Sequence, residues 1–323
     1  MRVKQICAAV ALAAGFVLFD AAIYVLFTSR CISSESEAMQ EKSIELESYL
    51  PFEEDSLIVK LESGISPNGA ALSGNLPVLD GATALYPIYS AFMNSWYPND
   101  SCDFDGESFA DESLLQKRGT GGAYKAVADG TADIIFCAKP SEKQLEYAAE
   151  QGAELTLVPI GYEAFVFIVN KDNPIESLTV EQLRGIYSGE YTSWDQVGGE
   201  KSHIGALQRT EGSGSQTMMQ SFMGETEMKR DILAFTGRSI GYSFRYYVES
   251  VVQNGGVKML SVNGAYPSAE NIRSGDYPLV DNFYAIYRSD NENENIPLII
   301  EMILSDEGQK IISETGYISI NEI

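Results

Sequence analysis

The chain has 323 residues and a formal charge of −24, with 45% hydrophobic and 21% charged residues. That length accommodates two lobes with separate cores, and the acidic excess argues against nucleic acid or an anionic membrane surface as a partner. One histidine, His203, and four cysteines, none in CxxC or HExxH spacing, supply no zinc framework and call for no cofactor.

In chain order, Arg2 and Lys4 precede an apolar stretch over residues 8–27, broken only by Asp20. It comes close to the roughly 20 residues that span a bilayer. The basic flank should stay in the cytoplasm and place the remaining chain outside the membrane. No small-residue cleavage site is evident. An uncleaved signal anchor over residues 1–31 is the first reading. Lipidation at Cys31 is the second, although Thr28, Ser29 and Arg30 make a poor lipoprotein signal. Residues 32–75 read as an acidic spacer and N-terminal extension, in which the apolar positions of YLPFEEDSLIVKLE would lie against the domain.

From residue 76 strands and helices alternate. LPVLD predicts a short strand, and ALYPIYSAFMNSWYP has apolar residues at helical spacing. AYKAVADG opens a second helix, and TADIIFCAKP is a buried strand with a turn. SEKQLEYAAEQG has a serine cap, helix formers and a closing glycine. LTLVPIGYEAFVFIVN is rich in β-branched and aromatic residues and predicts strand, while SLTVEQLRGIYSG predicts a helix opened by Ser177 or Thr179. IPLIIEMILSDEGQKIISETG predicts one closing helix. The alternation gives an α/β architecture. Cys102 and Cys137 fit either a disulfide or two buried thiols.

Three helix starts share one chemistry. DGAT supplies Thr83, RGTGG supplies Thr120, and EGSGS supplies Ser213 and Ser215, each hydroxyl within two residues of a glycine. A helix N-terminus presents unpaired N–H groups and partial positive charge. Glycine lets the backbone approach a ligand closely, and hydroxyls donate to oxygen. One such terminus is an anion site; three aimed at one point would replace much of a tetrahedral oxyanion's hydration shell. Arg209 would add a planar fork matched to two anion oxygens, with Glu211 placed to hold the guanidinium or to face solvent.

These segments resemble the extracytoplasmic phosphate-binding proteins of ABC transporters. The resemblance covers roughly residues 76–320 and rests on LDGATALYP, RGTGGAYKAVADGTADI, GIYSGEYTSWDQVGG, RTEGSGSQT, IGYS and EGQKIISETGYISI. It implies a two-lobed, hinged type II periplasmic-binding-protein fold. Residues 76–159 and 280–323 would form lobe 1, and residues 160–279 lobe 2. Phosphate would lie in the cleft, held by Thr83, the backbone of Ala84, Thr120, Arg209, Ser213, Gly214 and Ser215. Some members carry an aspartate that accepts the proton of hydrogen phosphate where this chain has Ala138. A backbone carbonyl or Glu211 would then take that proton, and Lys139 and Arg245 are further candidates for the cleft.

The implied function is membrane-anchored, extracytoplasmic capture of inorganic phosphate for an ABC permease. The alternatives are another oxyanion, sulfate or molybdate, or a sensor or scaffold that keeps the fold without transport. An enzyme is not expected: GSGSQ lacks the GxSxG elbow, and His203 lies in an ordinary KSHIGAL segment.

Overall fold

The computed structural model describes residues 46–61, 72–231, 238–251 and 256–323. The expected anchor, Cys31 and the start of the acidic spacer lie outside the described residues. Among those described, no helix is long and apolar enough to cross a membrane.

Strand β1 (Leu79–Gly81) is followed by a 3-10 turn at Thr83–Leu85 and helix α1 (Tyr86–Trp96). Helix α2 (Gly119–Asp129), strand β2 (Ile134–Ala138) and helix α3 (Glu142–Glu150) come next. The long strand β3 (Leu155–Asn170) leads to β4 (Ser177–Leu178), α4 (Val180–Ser188) and β5 (Ile204–Ala206). After α5 (Gly214–Met223) come β6 (Arg238–Phe244), β7 (Val257–Met259), β8 (Ser261–Val262) and α6 (Ala269–Arg273). Strand β9 (Val280–Arg288), helices α7 (Asn295–Leu304) and α8 (Asp306–Thr315), and β10 (Ile318–Ser319) close the chain.

Strand β3 joins the two halves of the sheet. Its first part, Leu155 to Ala164, pairs antiparallel with β9, and β9 continues to β2 and β1. From Phe165 onward it pairs with β6, which carries β5, and its end pairs with β7. The partner changes between Ala164 and Phe165, so one strand serves two cores. One core gathers Phe92, Phe136, Ile160, Ile299 and Tyr317. The other gathers Phe165, Phe167, Trp194, Met219, Tyr242 and Tyr277. The division does not follow chain order alone, because Tyr246 packs in the first core and Ile318 in the second. Each fully buried large apolar side chain contributes about 1.5–3 kcal/mol, and α1 alone buries Ile88, Tyr89 and Phe92 completely.

Local chemistry fixes the helix ends. Ser141 and Thr179 form capping boxes with Gln144 and Gln182 at the starts of α3 and α4. Thr179, rather than Ser177, therefore opens α4. The closing segment is two helices rather than one. Ser305 turns extended (ψ 166°), and its side chain accepts the Gly308 N–H, which starts α8. A Cβ on Gly308 would stand 2.2 Å from the Met302 carbonyl, so only glycine allows the two helices to meet so closely. The extension does lie on the first core: Ile58 is buried, Ser90 Oγ donates to the Tyr49 carbonyl at 2.5 Å, and Phe52 N–H donates to Asn94 Oδ1 at 2.8 Å. Cys102 and Cys137 are free thiols, Cys137 buried within β2.

Candidate anion-binding site

The three helix starts are built differently. Thr83 is buried and opens the turn that feeds α1, and Tyr317 Oη donates to the Ala84 carbonyl at 2.6 Å. Helix α2 begins after Arg118 with no side-chain cap, which leaves its first N–H groups unclaimed by a neighbouring side chain. Buried Asp80 joins these two starts. It accepts from the Gly81 N–H at 2.8 Å, the Arg118 N–H at 2.9 Å and Arg118 Nη1 at 2.7 Å. At the third start Ser213 is the N-cap and accepts the Gln216 N–H at 3.3 Å, so its own hydroxyl proton remains available for donation.

The starts lie beside one another. A Cβ on Gly119 would be 3.9 Å from Thr83 Oγ1, and one on Gly121 would be 3.8 Å from the Gly212 carbonyl. A Cβ on Gly214 would be 3.5 Å from Thr120 Oγ1, 3.6 Å from the Phe244 ring and 3.7 Å from Ala138 Cβ. Two further contacts join α3 to the loop before α5: Gln144 Nε2 donates to the Gly212 carbonyl at 3.3 Å, and Lys143 Nζ meets Glu211 Oε1 at 3.2 Å. Arg209 is positioned through its backbone, its N–H lying 3.1 Å from Gln216 Oε1 and 3.0 Å from Tyr242 Oη. Tyr242 also donates to Gln216 Oε1, and burial pushes its phenol up to about 12.

A cavity of about 710 Å³ opens between these elements. Of the residues singled out in the sequence, Ala84, Thr120, Ala138, Lys139, Glu211 and Gly214 lie on its wall. Thr83, Arg209, Ser213, Ser215 and Arg245 do not. Arg245 is turned away from the role suggested for it. It is buried, with Nη1 on Glu249 at 2.5 Å and Nη2 on the Gly316 carbonyl at 2.6 Å. The Glu211 carboxylate takes Lys143 and Gln220. His203 is a tie to Asp231 at 2.9 Å, away from the cavity.

The sequence reading missed Glu163 and Asp281, which both line the cavity. They sit opposite each other on β3 and β9. Burial dominates at Glu163 and raises its carboxyl to about 7, against the lowering effects of Arg245 and the backbone N–H groups of Ala164 and Tyr246. The available signal was a lone acid inside each apolar strand, in GYEAFVF and LVDNFYAIY.

Residues 78–306 match the PBP superfamily domain. The chain is 29% identical over 191 residues to the phosphate-binding protein PstS of Borreliella burgdorferi, covering 53% of this chain and 67% of that protein. It is 24% identical to the phosphate-binding protein PstS of Bacillus subtilis, covering 78% and 82% respectively. A protein from Clostridium perfringens solved with bound phosphate has the same fold, with a TM-score of 0.57 at 22% identity, covering 75% of this chain and 98% of that one. A two-lobed α/β fold, paired helix starts at a shared cavity and a domain match over most of the chain lead to one assignment: the chain belongs to the PBP superfamily, among relatives that are phosphate-binding proteins.

Proposed function

We propose that the chain is a membrane-anchored, extracytoplasmic receptor that captures inorganic phosphate for an ABC permease. The anion is held by the helix starts at Thr83–Ala84, Thr120 and Ser213–Ser215, with Arg209 supplying the guanidinium. One observation carries this reading: the start of α5 meets the start of α2 and the end of β2, with Gly214 leaving room beside the Thr120 hydroxyl. Two helix N-termini from different cores then face one point, where their partial charges add. Closure of the lobes around the anion reports occupancy to the permease, and the chain performs no chemistry on it. The names of the relatives, the likeness to a protein solved with phosphate and the basic, apolar N-terminus support the same reading.

Each hydrogen bond to the charged anion contributes about 1.5–3 kcal/mol net. Calorimetric titration of the full-length chain with phosphate, sulfate and molybdate tests the proposal. Phosphate binds preferentially, and Arg209→Ala weakens it by about 2–5 kcal/mol because anion charge loses its paired guanidinium. Equal binding of phosphate and sulfate leaves a general oxyanion receptor, as the alanine at position 138 would permit. Absence of anion binding leaves only a scaffold.

A further inference from the structure

The cavity extends past the proposed anion seat, and its wall carries carboxylates. Its volume is about 710 Å³, whereas phosphate has five heavy atoms. The helix starts from the two cores already stand within contact distance at the proposed anion seat. The remaining room therefore extends beyond the seat.

Its walls describe what would fill that room. Leu85, Phe244 and Phe283 offer apolar surface. Glu163 and Asp281 are directly paired across β3 and β9, so their side chains share one face. Like charges opposite each other in a sheet oppose stability. Glu163 is 6% exposed, and its Oε2 has no hydrogen-bond partner among the described residues. Arg245 does not answer this charge fully: its Nε is 3.9 Å from the other oxygen, Oε1, while its terminal nitrogens serve Glu249 and Gly316. Thr217 Oγ1, on a cavity-lining residue of α5, is a second buried polar atom without a partner among the described residues. An orphaned buried acceptor costs about 1–3 kcal/mol and asks for a donor.

We infer that this cavity takes an organic phosphate bearing an ammonium group, with the phosphate at the helix starts and the ammonium between Glu163 and Asp281. The inference rests on the anion seat proposed above. An ammonium carries three donors and one positive charge, which would relieve the paired carboxylates. The carbon linker then runs along the apolar wall.

The test is calorimetry on the full-length chain at about pH 8, where a carboxyl raised to about 7 is mostly ionised. The ligands are inorganic phosphate, ethyl phosphate and phosphoethanolamine. Phosphoethanolamine should bind at least about tenfold more tightly than ethyl phosphate, which differs only in lacking the ammonium. Glu163→Gln and Asp281→Asn should each remove most of that advantage and leave ethyl phosphate within about twofold of the wild type. If Glu163→Gln fails to fold, Asp281→Asn and the wild-type ligand series decide the matter. Equal affinities for the two esters would overturn the inference, as would binding of inorganic phosphate with exclusion of both esters, and in the latter case the phosphate-receptor reading survives. Failure of all three ligands would overturn both.

Discussion

Replacing Glu163 by glutamine isolates the energetic consequence of burying a carboxyl in the strand that joins the two cores. In the wild type, burial raises this group from 4.5 to about 7. The native state therefore holds the proton more tightly than the unfolded chain throughout that interval. Stability contributed by the protonated group is fully present below 4.5 and is lost as pH rises through about 7. At 1.36 kcal/mol per pH unit, the loss amounts to about 3 kcal/mol. Glutamine keeps the shape and cannot ionise. Urea denaturation of both proteins at about pH 5 and pH 8 should show the stability difference, wild type minus variant, falling by about 2–3 kcal/mol between the two pH values, since part of the loss precedes pH 5. Subtracting the variant removes the contribution of the remaining carboxylates in this highly acidic chain. A difference that stays constant, or that grows with pH, would refute the claim that desolvation outweighs Arg245 at this position.

Gly214→Ala separates the anion seat from folding. The added methyl meets its neighbours at 3.5 Å or more, which is ordinary contact, and alanine favours the first turn of α5. Stability should stay within about 0.5 kcal/mol while phosphate affinity falls at least about tenfold, as read by denaturation and calorimetry. Asp80→Ala should instead destabilise the fold by about 2–4 kcal/mol, because the Gly81 and Arg118 N–H groups lose their acceptor. The Arg118 side chain, about a third exposed, can rehydrate, which keeps the cost below that of a fully stranded charge. Urea denaturation measures this cost, and an unchanged midpoint would count against Asp80 as the tie between the first two helix starts.

What the sequence made legible was local. Ser141 and Thr179 announce helices because each has glutamine three residues later, and both capping boxes form. The glycines at 130 and 189 end helices in the left-handed conformation that only glycine adopts without cost. The three helix starts could be found because hydroxyl, glycine and helical run fall within a few residues of one another in the chain. The break at Ser305 was hidden because apolar spacing continues through it, and the contact that requires it is between Gly308 and Met302 in the packed fold. Glu163 and Asp281 were hidden for a related reason. A carboxylate in an apolar strand becomes a cavity wall only through the pairing of β3 with β9, which no local window contains. The Lys143–Glu211 bridge is likewise a product of packing between α3 and the loop before α5. Arg209 shows the limit of motif reading, since its spacing in RTEGSGS points to the proposed seat while the cavity wall is formed by others.

Arsenate, a heavier isostere of phosphate, tests the shared helix-start seat most directly in crystals of the full-length chain, because its anomalous scattering locates the anion without reference to the protein density. The predicted peak lies within hydrogen-bonding reach of the Ala84 N–H, the Thr120 hydroxyl, the first N–H groups of α5 and the Arg209 guanidinium together. A peak bound to only one helix start, or located away from all three, would contradict it.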